Sequence, residues 1–309
     1  MHLPGTQQST AVAAPKSSKS AQLPQPPLAY EAYRLPSQQL RGGPAAVAVA
    51  TTCVGGQFDV VWASSPAEVR EAQRLRYRVF VEEMRARPNL AEGATHGFDR
   101  DRFDPYCDHL LVRARSGAGR AGPVIGTYRV LPPAGARRAG GLYSDIEFDL
   151  APLADLRANA VELGRACVHP AWRSGSVIMA LWSALGQYML SHELDTMLGC
   201  ASVSLADGGN NARQLWQRLR TTHLAPDCWQ VQPRNALRLD ASDELGGIAG
   251  APAASVSAAM PPLIKGYLRC GARLLGPPAF DAAFNTADLP MMMRLEDLAP
   301  RYRNHFLGS

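Results

Sequence analysis

None of the six cysteines, Cys53, Cys107, Cys167, Cys200, Cys228 and Cys270, forms a C-x-x-C pair or sits at a spacing that suggests a disulfide framework. The fold is therefore expected to stand on its core, in a reducing cytoplasm. The first 44 residues lack the basic start, apolar stretch and cleavage site of an export signal. The longest apolar run, Val177 to Leu190, is broken by Ser183, Gly186 and Gln187. It falls short of the roughly 18–20 residues that cross a bilayer, so it reads as a buried helix. Lys and Arg do not cluster into a phosphate-tracking stripe, and no zinc-finger, helix-turn-helix or RNP spacing occurs, which argues against nucleic acid as a partner. His192-Glu193 has no second His four residues on, and no G-x-S-x-G elbow is present. Zinc-protease and serine-hydrolase chemistry are thereby set aside.

What is present supports a sizeable core, since 46% of the 309 residues are hydrophobic. The formal net charge is +5, but Lys16, Lys19, Arg34 and Arg41 against Glu31 put +3 of it before Phe58. The remaining excess is small, and suits at most an acidic carrier protein or an anionic membrane surface. Residues 1–57, rich in Pro, Gln, Ala and Gly, are expected to be a disordered tail, and residues 240–260 a flexible insertion.

Between them the pattern alternates. Phe58–Trp62 is expected as a strand, and Ser65-Pro66 as the start of a helix running to about Met84. Arg85–Cys107, polar and long, is a candidate active-site loop. His109–Ala114, Val124–Leu131, Val161–Val168, Thr196–Val203 and Leu289–Leu295 read as strands; 176–190, 211–219, 263–275 and the C-terminal end read as helices. This alternation predicts an α/β domain with a mixed sheet and helices on its faces.

Two groups of segments carry the functional reading. The first is Arg76-Tyr-Arg-Val-Phe80, Asp101-Arg-Phe-Asp104, Gly126-Thr-Tyr-Arg129 and Glu162-Leu-Gly-Arg165. In this order and spacing they resemble the acyl-carrier-protein-dependent N-acyltransferases, a group that includes acyl-homoserine-lactone synthases and ornithine N-acyltransferases. The second is Glu162–Pro170, Arg173-Ser-Gly-Ser-Val-Ile178 with Leu181-Trp182, Leu198–Ser202 and Phe284-Asn-Thr-Ala-Asp288. These look like the ornithine branch of that group. The resemblance covers about Phe58 to Leu307. It implies a GNAT-like fold over 58–309, with Arg76 and Phe80 marking the motif helix. It also implies transfer of a (3-hydroxy)acyl chain from acyl carrier protein to the α-amine of ornithine. No metal or cofactor is implied, the carrier's phosphopantetheine thioester being a co-substrate. A homoserine-lactone-type synthase, an enzyme for another amino acid, and a non-catalytic acyl- or carrier-protein-binding module are the alternatives.

Chemistry assigns candidate roles beside the resemblance. Aminolysis of a thioester needs a neutral amine, whereas α-amines ordinarily titrate near pH 7.7–8.0, so a positioned base helps, and Glu162 is the candidate. Its alternative is an ion pair with an arginine. Glu162 and Arg165 have opposite parity on a regular strand. A bulge at Gly164 would bring both to one site and part this strand from its neighbour. Arg173, Ser174, Gly175 and Ser176 precede a helix, where backbone N–H groups can hold the donor's phosphodiester; the alternative is an ordinary helix start. Arg129 or Arg165 offers a fork for the acceptor carboxylate. Asp101, Asp104 and Asp288 offer a carboxylate for its second ammonium, or merely cap turns. Cys167 and His169 share a strand side and could form a nucleophile and base, although packing is the commoner role of such a cysteine. An amphiphilic product predicts contact with the inner membrane face, through Arg301 and Arg303.

Overall fold

The computed structural model describes residues 57–87, 96–116, 121–237 and 259–307. The expected disordered tail, apart from Gln57, and the expected 240–260 insertion, apart from its last two residues, lie outside the described residues.

Among the described residues ten strands are formed: β1 Phe58–Trp62, β2 Asp108–Arg115, β3 Ala121–Leu131, β4 Phe148–Asp149, β5 Ala160–Val168, β6 Thr196–Ser204, β7 Gln232–Pro233, β8 Arg273–Leu274, β9 Ala279–Asp281 and β10 Thr286–Arg294. The main sheet has the order β1-β2-β3-β5-β6-β10-β8, with β9 also on β10. Every ladder in it is antiparallel except β5 with β6. A parallel pair needs a crossover, and helix α3, after α1 Pro66–Tyr77 and α2 Pro133–Ala139, supplies it over Ser176–Ser191. Helices α4 Asn210–Thr222, α5 Pro262–Cys270 and α6 Pro300–Leu307 complete the fold.

The start of α1 follows from its sequence. Ser65 adopts an extended backbone and accepts from Glu68 N at 3.3 Å, while Glu68 accepts from Ser64 N at 2.7 Å and Pro66 sits in the first turn. Ala72, Leu75 and Val79 then pack against Leu111, Val124 and Cys167 on one sheet face. Beyond Tyr77 the helix widens into a π-helical stretch, Arg78–Glu83, where Met84 N bonds Val79 O at 3.0 Å. Such widening often marks functional sites. The opposite sheet face packs Leu110, Val112, Tyr128 and Val130 against Val177, Leu181 and Leu185 of α3.

The sequence pattern and the structure differ where turns are short. The expected helix over 263–275 ends at Cys270, because Gly271 takes a positive φ and closes it, and the chain then enters β8. Helix α2 and the small β4–β7 pair carry no periodic signal and were not anticipated. Arg303, expected at a membrane surface, instead donates to Leu295 O and Glu296 O at 2.9 and 3.0 Å, while Arg301 is exposed. Among the described residues no helix is long and apolar enough to cross a membrane.

Candidate active site between β5 and β6

Strand β5 behaves as two strands. From Ala160 to Glu162 it pairs in parallel with Thr196–Leu198 of β6, and beyond Glu162 that ladder stops. At the point of parting the two backbones still touch: a Cβ on Gly199 would lie 2.4 Å from Leu163 O, so only glycine fits there. On its other edge β5 slips against β3. Thr127 opposes Cys167 and Arg129 opposes Gly164, so one residue of β3, Tyr128, faces two of β5, Arg165 and Ala166. That is a bulge. Its centre is not Gly164, around which a Cβ would find open space, but Arg165, held at φ +50°. The expected parting of the strand is present, while the expected glycine is not its hinge.

A non-glycine residue in the left-handed region costs about 1–2 kcal/mol and persists only where its surroundings over-determine it. Arg165 is held from several sides. It donates to Asp101 at 3.0 Å, lies 3.8 Å from Asp99, and stacks over Tyr143 and Phe284 at 5.4 and 4.8 Å. Asp99 and Asp101 belong to a larger set. Arg76, fully buried on α1, reaches Asp99 at 2.6 Å and forks onto Asp104 at 3.0 and 3.1 Å. Arg129 binds Asp101 at 2.6 and 2.7 Å and Asp104 at 2.9 Å. Three guanidiniums thus meet three carboxylates. Burial works to raise the Asp101 carboxyl, but Arg129 and Arg165 outweigh it and hold it down at about 2. Asp104 is likewise held far below its ordinary range by Arg76 and Arg129 against burial.

At the parting lies a cleft of about 640 Å³ whose lining includes Arg129, Glu162, Arg165 and Asp288 together with Trp172, Arg173, Gly175 and Trp182. Phe80 is also on its wall, edge to Phe284 at 5.8 Å. Leu163, Gly164, Ala166, Trp182 and Tyr267 line this cleft and also a smaller apolar pocket of about 110 Å³. Leu185, Met197, Met291, Met293 and Phe306 are among the other residues of that pocket. Glu162 and Arg165 therefore share one site, as expected. Arg129 and Asp288 join them. Asp101 and Asp104 are not on the cleft wall: their charge is satisfied by Arg76, Arg129 and Arg165, which corrects the expectation that they hold a substrate ammonium.

Glu162 is buried and makes no salt bridge among the described residues, so an ion pair with arginine is not its role here. Its Oε1 accepts from Ser144 N at 2.7 Å and Ser144 Oγ at 2.5 Å, and its Oε2 from Tyr143 N at 2.5 Å. A carboxylate offers about four lone-pair sites; three are taken by these donors, and Glu162 lines the cleft. Burial raises its affinity for a proton, and the Ser144 and Tyr143 hydrogen bonds only partly oppose this. The result is a fixed, basic carboxylate. Cys167, by contrast, is buried with its thiol pushed up to about 12, which removes it as a nucleophile at neutral pH.

The loop before α3 has Gly175 at φ +101°, from which the helix begins at Ser176. Ser174 Oγ and Ser176 Oγ lie 3.4 Å apart. Arg173 is held by Glu83 at 2.6 and 2.8 Å and donates to Val168 O at 3.0 Å. Its guanidinium is thus engaged, on an exposed surface.

Sequence reasoning did not find Glu147 and Asp281. With Asp288 they place one oxygen each within 4.8 Å of one another, close enough to surround a single cation. Asp281 and Asp288 line the cleft. Glu147 sits just before β4 and Asp281 ends β9, two elements with no periodic signal, so nothing in the sequence joins them to Asp288.

A model of the acetyltransferase (GNAT) domain matches residues 75–183. An L-ornithine N(alpha)-acyltransferase of Rhodobacter capsulatus is 36% identical over 81% of this chain and 94% of its own length. One of Brucella abortus is 37% identical over 81% of this chain and 89% of its own. Among solved structures the AHL synthase LasI aligns over 82% of this chain and 95% of its own, at 12% identity and a TM-score of 0.44. The chain belongs to the L-ornithine N(alpha)-acyltransferase family and has the mixed, helix-flanked sheet of the GNAT acyltransferases.

Proposed function

We propose that this enzyme transfers a long (3-hydroxy)acyl group from the thioester of acyl carrier protein to the α-amine of L-ornithine, giving lyso-ornithine lipid. The observation that carries the proposal is the parting of β5 from β6 beside Glu162, whose carboxylate lines the cleft. The relatives' ornithine acyltransferase names supply the acceptor.

In this reading the acceptor's neutral amine stands in the cleft, its proton directed to Glu162 Oε2, directly or through a water. Its nitrogen attacks the thioester carbonyl. The C–N bond forms, the tetrahedral oxyanion collapses, and the C–S bond breaks. The proton taken by Glu162 passes to the departing thiolate, so amide and free carrier thiol result. Backbone N–H groups of β5 near Arg165–Cys167, which have no β6 partner, meet the oxyanion. The acyl chain enters the apolar pocket behind Gly164, whose Met197, Met291 and Met293 give it an adaptable wall. Arg129 and Arg165 face the acceptor's carboxylate, Asp288 its second ammonium, and Arg173–Ser176 the carrier arm's phosphodiester. The carrier thioester is a co-substrate, and the chemistry calls for no metal. The setting is the cytoplasm, with the amphiphilic product delivered to the inner membrane surface near exposed Arg301.

Incubation of the purified protein with 3-hydroxyacyl carrier protein and a panel of amino acids, with products read by mass, tests this. N-acyl ornithine is expected, and Glu162→Gln is expected to lower kcat by about 100–1000-fold. Carrier binding without any acyl transfer would instead mark a binding module. Wild-type turnover in Glu162→Gln would remove Glu162 as the base.

A further inference from the structure

Two sets of acids lie near the cleft, one buried behind its wall and the other partly on it, and only the first is balanced. Asp99, Asp101 and Asp104 have three guanidiniums between them. Glu147, Asp281 and Asp288 have no lysine or arginine in salt-bridge contact among the described residues, although their oxygens converge within 4.8 Å. Their existing partners are neutral: Thr286 Oγ1 donates to Asp288 at 2.7 Å, Ala283 N to Asp281 at 2.8 Å, and the Cys200 thiol to Glu147. Glu147 Oε2 is sealed from solvent with no hydrogen-bond partner at all. An orphaned buried carboxylate oxygen is costly, and natural structures keep one chiefly where something arrives to fill it.

Resting on the reading above, we infer that Glu147, Asp281 and Asp288 form a receptor for the side-chain ammonium of the acceptor and select a diamino acid over amino acids with uncharged side chains. Position and chemistry agree. Asp281 and Asp288 line the same cleft as Glu162 and Arg165, so one small molecule can meet all of them. An ammonium carries three donors in a compact group, which suits three converging acceptors. A hard divalent ion takes six or more oxygens or keeps several waters. Here Cys200, Ser202 and Phe284 make up neighbouring wall, a poor supply of such ligands. The trio has no cationic partner, while Arg129 and Arg165 on the same cleft are already paired with the other set.

The test compares L-ornithine with L-norvaline, which has the same carbon skeleton but no side-chain amine. Wild type is expected to favour ornithine in kcat/KM on the order of 100-fold or more, as a site built for a polar group rejects its absence. In Glu147→Gln and in Asp281→Asn the ratio is expected to fall below about 10-fold, through KM for ornithine. A second readout needs no turnover: ornithine but not norvaline should raise the Tm of wild type, and neither should raise that of the variants. If ornithine is acylated with the same preference by all three proteins, the receptor is overturned while the reaction stands. If ornithine raises Tm through this trio yet is never acylated, the receptor stands and the reaction falls. If magnesium or calcium chloride raises Tm in ornithine's place and a chelator stops turnover, the trio is a metal site and the inference is wrong.

Discussion

Two acidic clusters serve this region, Asp99, Asp101 and Asp104 behind the cleft wall and Glu147, Asp281 and Asp288 partly on it, and they differ above all in the presence of partners. Asp99, Asp101 and Asp104 are locked to Arg76, Arg129 and Arg165 at 2.6–3.8 Å and brace the bulge from behind. Glu147, Asp281 and Asp288 converge without a cation. A protein that could bury three ion pairs so completely could have buried a fourth cation. The difference teaches that charge balance separates the scaffold from the proposed receptor. The scaffold's task is visible in Arg165, whose left-handed backbone would relax if its anions were lost, closing the gap through which the thioester is proposed to pass.

The largest expected effect comes from breaking the balanced cluster. Arg76→Leu leaves Asp99 without its 2.6 Å partner and Asp104 with only part of its own, all of them buried. Removing one member of a buried pair typically costs about 3–5 kcal/mol. Urea unfolding should show a loss of that size, and a loss below about 1 kcal/mol would mean that the cluster is no scaffold.

How much of this was readable beforehand depends on what sets each feature. The long strands and α3 follow from runs of apolar residues and appeared where expected. The bulge followed from parity, since Glu162 and Arg165 could not share a site on a flat strand. Its hinge did not, because open space beside Gly164 and strain at Arg165 are properties of surroundings supplied by Asp99 and Asp101, sixty residues upstream. The sequence offered Asp101 and Asp104 as ligands because they sit in a polar loop with D-x-x-D spacing. Nothing local says that Arg76, in the last turn of α1, turns inward to neutralise them. Glu147 and Asp281 were invisible for the complementary reason, each lying in a short irregular segment brought to β10 only by tertiary structure.

A smaller effect, opposite in sign, is expected from the unbalanced cluster. Burial and then the charge of Asp288 push the Glu147 carboxyl up to about 8, and burial, with Asp281 adding, pushes Asp288 up to about 6. The Cys200 thiol, Ser202 and Thr286 hydroxyls and Arg165 work the other way, and Glu162 adds to the rise in Glu147. A carboxyl raised in the folded state binds its proton more tightly there than in the unfolded chain. Its contribution is therefore complete below the ordinary value of 4.5 and is lost as pH climbs toward about 8. Asp101 runs in reverse: held at about 2, it stabilises above its ordinary 3.8 and fails only as pH falls through about 2. Without ornithine, Glu147→Gln should thus be more stable than wild type at pH 8, by on the order of 1 kcal/mol, with the gap shrinking toward pH 5. Tm measured across that range checks it. A gap that widens on acidification would show that Glu147 is already paired.

The smallest effect on stability, and the sharpest separation of stability from function, belongs to Arg173. Its pair with Glu83 is bidentate but exposed, and exposed pairs contribute about 0–1 kcal/mol. Arg173→Ala should leave the unfolding midpoint nearly unchanged. If the loop before α3 holds the carrier arm's phosphodiester, the guanidinium must turn from Glu83 to that anion, so the substitution should raise KM for acyl carrier protein several-fold. Glu83→Gln removes the competitor while keeping Arg173, and should lower that KM. The two variants have the same direction if Arg173 merely braces the π-helical stretch against Val168 and opposite directions if it serves the donor. Salt dependence adds a check, since the Arg173 contribution to donor binding should fade as ionic strength rises, whereas the buried clusters should barely respond. Equal KM values for wild type and both variants would locate the donor's phosphate elsewhere in the cleft mouth.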